Sequence, residues 1–406
     1  MRILYVCHRF PYPPKRGGKI RPFNMIRHFA QQHEVVVCSL SRSDEETAEA
    51  QGIAPFCSEF HLAQVDNRLQ SLRMVATLPT PITASTSFFH SPNLARTIRG
   101  LLAQRRFDLI FVHCSSVAHY VQHVTDVPKV LDFGDMDSHK WLEYAQYKPF
   151  PLSMGYWWEG QRVMAQEKRL ARRFDLCTAT TKAEWQTLED YQAAAATDWF
   201  PNGVDSQFFA PASEPYDPDT IVFVGRMDYY PNQQCMAEFC AEVLPRLRAQ
   251  RPTIKLQIVG ADPSPAVRRL GELPGVTVTG SVPDVRPYVT RAALTVAPLR
   301  IARGTQNKIL EAMAMGVPVV TSTVAAGGVD ALPNEHLFTA DTPEQSCRAI
   351  LQLIDNPGVR ARLAHAGRER VLSHHAWPSS MKRLDAIVER CVGAFRTPSQ
   401  LSVQSQ

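Results

Sequence analysis

Short runs rich in Val, Ile, Leu and Phe alternate with longer stretches whose apolar residues recur every three or four positions, and this alternation runs through the chain twice. In the first pass, residues 2–6, 35–39, 109–112, 130–133 and 176–179 have the length and β-branched content of strands. The segments between them read as helices, the first placing Phe23, Ile26, Phe29 and Ala30 on an inward face. Such an order predicts a parallel sheet covered by helices. Residues 210–218, APASEPYDP, break the pattern with three prolines and no periodicity, and the turn PNGVD at 201–205 stands just before them. They predict a linker. The alternation then restarts at 221–224, 255–259, 276–279, 294–297, 318–321 and 336–339, which predicts a second parallel sheet. Near the end, Pro378 opens a helix with Met381, Leu384, Val388 and Cys391 on one stripe. The expected layout is an α/β chain: a first domain over 1–209, the linker 210–218, a second domain over 219–377, a helix over 378–396 and a disordered tail over 397–406.

The densest pattern is at 301–328, IARGTQNKILEAMAMGVPVVTSTVAAGG, which reads as loop, helix, strand and loop. A helix from about residue 306 to 315 buries Ile309, Leu310, Met313 and Ala314, and Gly316 caps its end. Its polar face carries Lys308 and Glu311, neighbours one turn apart. A helix N-terminus behind the loop of Arg303, Gly304 and Thr305 offers free amides to a phosphate, Lys308 adds a full charge, and Glu311 can accept two ribose hydroxyls. A solvated amphipathic helix with an ordinary ion pair explains the same residues. Two further loops follow first strands. One contains Gly17 and Gly18 among Lys15, Arg16, Lys19 and Arg21; the other opens with Gly225 and Arg226. Ligands bind at the carboxyl ends of such strands, glycine lets a backbone approach an anion, and arginine grips phosphate through two donors. A flexible surface loop is the plainer reading of the glycine pair. Neither half has GxGxxG after its first strand, nor a Walker loop, which argues against a dinucleotide or ATP site of the usual kind.

Composition narrows the class. With 406 residues and 45% hydrophobic content the chain can fill two cores, and a net charge of +5 excludes a broadly basic nucleic-acid binder. Nine cysteines without a CxxC pair, with Cys7, Cys38, Cys114 and Cys177 in apolar runs, suit buried thiols in a reducing compartment. No run reaches the length of a membrane span, and the first residues are too short an apolar run for a signal peptide, so cytoplasm is expected.

GGKIR, FPNGVD, FVGRMDYYPN, KLQIVG, VTGSVPD and GTQNKILEAMAMGVPVVTS occur in an order and spacing that resembles the retaining glycosyltransferases of the GT-B group 1 family, family 4. The set looks most like the branch associated with bacterial exopolysaccharide and PEP-CTERM sorting loci. The resemblance implies two facing Rossmann-like domains with an interdomain cleft, and a C-terminal helix crossing back to the first. It also implies a nucleotide-sugar donor on the second domain, a glycan or lipid-linked acceptor on the first, and no cofactor or metal. By it Glu311 holds the ribose, Arg226 the diphosphate, and Gly17 with Gly18 lies beside that diphosphate.

The family's first glutamate of this motif is here Arg303, its diphosphate lysine falls on Asn232, with Lys308 the nearest substitute, and its histidine after strand 130–133 is missing. In that place stands DFGDMDSHKW, with Asp132, Asp135, Asp137 and His139; helix capping and acceptor contact is one reading of the aspartates, a cation site another. On this view Arg226, Lys308 and the helix N-terminus stabilise the departing phosphate, and Asp132 or Asp135 assists the acceptor hydroxyl. Two rivals are an epimerase using His113, Asp135 or His139, and a non-catalytic nucleotide-sugar-binding paralogue. Finally, Tyr156, Trp157 and Trp158 precede Arg162, Lys168, Arg169, Arg172 and Arg173, and together with the basic glycine loop they suggest contact with an anionic membrane surface. A solvated helix face that buries Val163, Leu170 and Phe174 is the alternative.

Overall fold

The computed structural model describes residues 1–14 and 17–401 and divides into two compact units. Unit 1 comprises residues 1–200 with the chain from Met381 onward, and unit 2 residues 201–380.

Unit 1 is built on seven strands: β1 (Arg2–Cys7), β2 (Glu34–Ser41), β3 (Glu59–Gln64), β4 (Leu109–His113), β5 (Lys129–Gly134), β6 (Leu176–Ala179) and β7 (Thr197–Trp199). They pair in parallel in the order β3-β2-β1-β4-β5-β6-β7. β1, β2, β4 and β5 are buried almost throughout, which is why they read as continuous apolar runs. β3 and β7 were not expected: EFHLAQ is half-exposed and TDW is short and polar, so neither carries a pattern. Helices used below are α1 (Gly17–Phe29), α2 (Asn67–Ala76), α3 (Asp137–Tyr147) and α4 (Leu152–Ala171).

Unit 2 repeats the plan with β8 (Asp217–Val224), β9 (Lys255–Val259), β10 (Val276–Gly280), β11 (Ala292–Ala297), β12 (Val319–Thr321) and β13 (Phe338–Thr339), parallel in the order β10-β9-β8-β11-β12-β13. β8 starts inside the segment expected to be linker, because the Asp217 amide bonds the Arg291 carbonyl and pairs Asp217 beside Ala292. Two helices matter here, α5 (Tyr230–Glu238) and α6 (Asn307–Ala314). In each sheet the strand order reverses beside the first strand, between β1 and β4 and between β8 and β11. A crevice opens at the carboxyl ends of such a pair.

The last helix, α7 (Trp377–Leu401), buries Met381, Leu384, Val388 and Cys391 as its stripe requires. Within unit 1, Asp385 meets His28 of α1 at 2.8 Å and Arg390 meets Asp198 at 2.8 Å. The residues from 397 to 401, expected to be disordered, continue this helix; a backbone ladder once started extends without an apolar stripe to announce it. Residues 402–406 lie outside the described residues. All nine cysteines are free, Cys7, Cys38 and Cys177 buried and Cys114 half-buried.

Candidate functional site

In unit 2 the carboxyl end of β8 runs straight into Gly225 and Arg226, and the chain leaving β11 passes through Arg303, Gly304 and Thr305 into α6. Both therefore flank the switch point. Helix α6 forms because Ile309, Leu310, Met313 and Ala314 all bury on one side, and Gly316 at φ 67° ends it in the left-handed conformation. That turns Lys308 and Glu311 away from the core. The Lys308 ammonium donates to Asn232 Oδ1 at 2.7 Å and sits 4.4 Å above the Phe223 ring; Asn232 Nδ2 in turn donates to the Arg226 carbonyl at 2.8 Å. Gly225 makes room for this junction: a Cβ there would lie 2.8 Å from Asn232 Nδ2 and 3.2 Å from the Lys308 nitrogen.

Lys308 thus reaches, from the opposite element, Asn232, the position on which the resemblance places a lysine. Partial burial pushes the Lys308 ammonium down to about 8, with Cys235 and Glu311 opposing the shift, and the Glu311 carboxyl up to about 7, with Lys308 opposing. Both retain some solvent access. Arg226 is about half exposed and bridges Asp228 at 2.7 Å and Asp262 at 2.6 Å, the Asp228 hydrogen bond being the main cause of its raised pKa. Gly304 takes φ 63°, and its carbonyl lies where a Cβ on Gly328 would stand, so that glycine is needed for the loop to close. The Thr305 hydroxyl is buried with no hydrogen-bond partner, and the Gln306 side chain does not cap α6, bonding the Arg303 carbonyl instead. Arg303 is half-buried in the same loop.

Unit 1 departs from expectation at several residues. Gly17 and Gly18 are the first two residues of α1 and not a loop, since residues 17–29 bury Phe23, Ile26 and Phe29 at helical spacing from the start. Lys15 and Arg16 lie outside the described residues. Lys19 is buried and bridges Glu46 at 2.5 Å. Arg21, 3% exposed, donates to both oxygens of Asp132 at 2.9 and 3.0 Å and to the Phe200 carbonyl, and stacks 3.7 Å over the Phe200 ring. These two cations are already committed inside the fold.

Asp132 is fully buried, and besides Arg21 it holds His113 Nδ1 at 2.7 Å and the Thr178 hydroxyl at 2.9 Å. Burial raises its pKa, but Arg21 and His113 more than offset this and hold it far below the ordinary carboxylate value. With its oxygens taken up by Arg21, His113 and Thr178, Asp132 orients His113 and presents no free oxygen to solvent. Asp135 is exposed and accepts from the Thr180 hydroxyl at 2.9 Å. Asp137 opens α3, and burial raises its pKa. The capping expected of these aspartates comes from elsewhere: Glu184 accepts from the Met136 amide at 2.8 Å, and Glu167, pushed up to about 7 by burial, accepts from the Ser138 amide at 3.1 Å. His139 stacks loosely near Tyr191. Among the described residues no three His, Cys, Asp or Glu side chains converge as metal ligands do.

Sequence reasoning gave little weight to His8 and His113, yet they stand together at the switch point of unit 1, their rings 5.9 Å apart. His8, just past β1, is held neutral by burial, then by His113, and its Nδ1 has no partner. The available signal was position: each polar residue closes an apolar strand at its carboxyl end. Arg9, next in the chain to His8, helps line a cavity of about 470 Å³ together with Gly18, Lys19, Arg42 and Glu46.

The surface cations proposed around α4 also divide. Arg162 is buried and bonds backbone carbonyls, Lys168 lies 5.0 Å over the Tyr191 ring, and Tyr156 packs on Trp141 and Tyr144. Val163, Leu170 and Phe174 are buried, while Trp157, Trp158, Arg169, Arg172 and Arg173 are exposed.

Comparison with known proteins bears on both units. Residues 16–208 match the model for Glycosyltransferase Family 4, and residues 218–356 the model for Glycosyl transferases group 1. A phosphatidylinositol N-acetylglucosaminyltransferase component from Arabidopsis thaliana is 27% identical over 53% of this chain and 49% of its own length. A GDP-mannose-dependent monoacylated phosphatidylinositol monomannoside mannosyltransferase of Corynebacterium glutamicum is 25% identical over 50% of this chain and 60% of its own. The chain thus spans about half the length of the relatives it matches. Among solved structures, sucrose-phosphate synthase from Thermosynechococcus elongatus superposes with a TM-score of 0.69 at 17% identity, covering 97% of this chain and 100% of that one. Anabaena HepE, solved in complex with UDP, gives 0.67 at 15% identity over 96% and 100%. These likenesses establish the GT-B fold.

Proposed function

Since the chain belongs to the group 1 and family 4 glycosyltransferases, we propose that it moves a sugar from a nucleoside-diphosphate sugar held by unit 2 to a glycan or lipid-linked acceptor held by unit 1, retaining the anomeric configuration. The observation that carries this reading is the junction of Lys308, Asn232 and the Arg226 backbone at the switch point of unit 2, with Glu311 one turn further along α6. The unpartnered Thr305 hydroxyl at the start of that helix is a donor and acceptor awaiting a ligand.

In this mechanism the bond from the anomeric carbon to the departing phosphate oxygen breaks as the acceptor oxygen bonds that carbon, and the acceptor's hydroxyl proton passes to the departing phosphate. Negative charge grows on the diphosphate, and Lys308, Arg226 and the free amides of α6 meet it without a metal. Arg226 exchanges its two aspartates for phosphate oxygens. Its planar fork suits that exchange, since Asp228 and Asp262 hold it at the surface. Glu311 accepts the ribose hydroxyls. Arg303 is the further donor contact proposed in unit 2, and Asp135 is the acceptor helper proposed in unit 1.

The acceptor reading is supported by the two relatives, whose names specify phosphatidylinositol and a monoacylated phosphatidylinositol monomannoside. For the nucleotide, one of these names GDP-mannose and the HepE structures hold UDP, so both belong in the test. The finer placement in exopolysaccharide or PEP-CTERM-linked glycan synthesis, on the cytoplasmic side of the membrane, rests on the sequence resemblance. Labelled UDP- and GDP-sugars incubated with extracted lipids test the reading. Transfer of label to lipid with release of nucleoside diphosphate is expected; an epimerised donor formed without acceptor, or binding without turnover across the panel, would favour one of the two rivals.

A further inference from the structure

The loop that leads from β11 into α6 brings more positive charge to the cluster of unit 2 than a diphosphate needs. Lys308 and Arg226 already answer the two charges of a nucleoside-diphosphate sugar, and Arg303 adds a third cation. Residues 298–306, PLRIARGTQ, contain no Asp or Glu, and Arg300, the other cation among them, is taken by Glu238 of α5 at 2.7 Å. The loop is also held in place. Leu299 and Ile301 are buried, the Ser322 hydroxyl donates to the Leu299 carbonyl at 2.5 Å, and the Gln306 side chain donates to the Arg303 carbonyl at 3.1 Å. Half-buried Arg303 therefore stands on a fixed backbone just ahead of the helix.

The order of groups along α6 says which part of a donor meets this loop. Glu311 stands four residues past Asn307, the first of the helix, about 6 Å along the axis at ~1.5 Å per residue. With the ribose at Glu311, the diphosphate lies toward the helix start, at Lys308 and the free amides of the first turn. The sugar, last in that order, falls beyond the helix start, against residues 303–305. A neutral hexose offers the loop only hydroxyls, each of which both donates and accepts. Arg303 has five N–H donors and no acceptor, and its planar fork matches the two oxygens of a carboxylate. The buried Thr305 hydroxyl, without a partner, is left for a sugar or phosphate oxygen alongside.

We propose that the transferred sugar is a hexuronate whose carboxylate pairs with Arg303. This rests on the sugar-transfer reading and names its donor. A charge-assisted, two-point pair of this kind selects by sign: an arginine holds the carboxylate that a glutamate at the same position would repel, and glutamate is the residue the resemblance sets there. A third grip on the diphosphate is the other role open to Arg303, and the two roles differ in what they strengthen. A phosphate contact favours the nucleoside diphosphate and all of its sugars alike, whereas a contact to the sugar carboxylate favours the uronate alone.

Titration calorimetry of the full chain with UDP, UDP-glucose and UDP-glucuronate, and with GDP, GDP-mannose and GDP-mannuronate, tests the proposal. Wild type is expected to bind the uronate of one series at least about tenfold more tightly than the neutral sugar of that series. Arg303→Gln should lose most of that preference, with affinity for the free nucleoside diphosphate falling by no more than about twofold. The preference is a ratio within one preparation, so a partly unfolded variant leaves it readable. Arg303→Lys should keep part of it, and Arg303→Glu should turn it toward the neutral sugar, a gain that misfolding cannot produce. Equal binding of uronate and neutral sugar by the wild type, or a preference that survives Arg303→Gln, overturns the proposal. So does an Arg303→Gln variant that loses free nucleoside diphosphate as strongly as the uronate, which would make Arg303 a phosphate ligand. A wild type that binds no nucleoside diphosphate at all contradicts the sugar-transfer reading itself, and this inference falls with it.

Discussion

The two units share a sheet plan and a switch point, but they treat the charges there in opposite ways. In unit 1, Arg21 and His113, 3% and 6% exposed, both bond Asp132, 0% exposed, so this network holds the ends of β4 and β5 and the start of α1 in register. In unit 2, Arg226 is loosely held by two exposed aspartates, Lys308 rests on one asparagine, and Thr305 has no partner. A buried, saturated network resists change, while a half-open cluster waits for one. The contrast separates a positioning element from a binding element built on the same topology.

Breaking the network should give the largest effect. Asp132→Ala leaves Arg21 charged and buried without its partner, a loss of about 3–5 kcal/mol. Urea unfolding followed by tryptophan fluorescence should show unit 1 melting early, whereas Arg226→Ala should stay within about 0.5 kcal/mol of wild type. Equal stabilities for the two variants would erase the distinction between the units.

Next in size is Glu311→Gln. A hydrogen bond to a charged group is worth roughly 1.5–3 kcal/mol, so kcat/KM for the donor should fall at least about tenfold with the fold unchanged. Arg226→Lys keeps the charge and loses the fork, and should weaken nucleoside-diphosphate binding by about tenfold, as should Lys308→Ala. A sharper version puts the charge back from the other side. Asn232→Lys in the Lys308→Ala background should recover part of the lost affinity, since the two side chains meet at 2.7 Å; no recovery would mean that Lys308 acts elsewhere.

How far the sequence foretold all this follows the same contrast. Strands buried on both faces announce themselves as apolar runs, so β1, β5 and β11 were readable, whereas β3 and β7 carry no such run and were missed. Helix α6 was readable because Gly304, Gly316 and its apolar face all agree. The buried network was not. Arg21 and Asp132 are 111 positions apart, and nothing local distinguishes a cation that will pair internally from one that will face a phosphate. For that reason Lys19 and Arg21 were read as phosphate ligands and Asp132 as a catalytic helper. Asn232 and Lys308, 76 positions apart, show the same limit from the other side, since only the fold brings the two side chains together.

The smallest effect expected is in pH dependence. Glu311, raised to about 7, becomes the carboxylate that accepts ribose hydroxyls as pH rises through that value, and Lys308, lowered to about 8, loses its ammonium as pH rises further. Affinity for nucleoside diphosphate should therefore climb up to about pH 7 and fall above about pH 8, by a few-fold on each side. Glu311→Gln should remove the acidic limb and leave the alkaline one.

The central claim is that the half-open cluster of unit 2 is the donor site, and titration calorimetry of the full chain with UDP and with GDP tests it most directly. Wild type is expected to bind at least one of them, Asp132→Asn to retain that affinity wherever it remains folded, and Lys308→Ala and Arg226→Ala each to lose it by about tenfold or more. If Lys308→Ala and Arg226→Ala bind like wild type, the diphosphate lies elsewhere and the cluster is not the donor site.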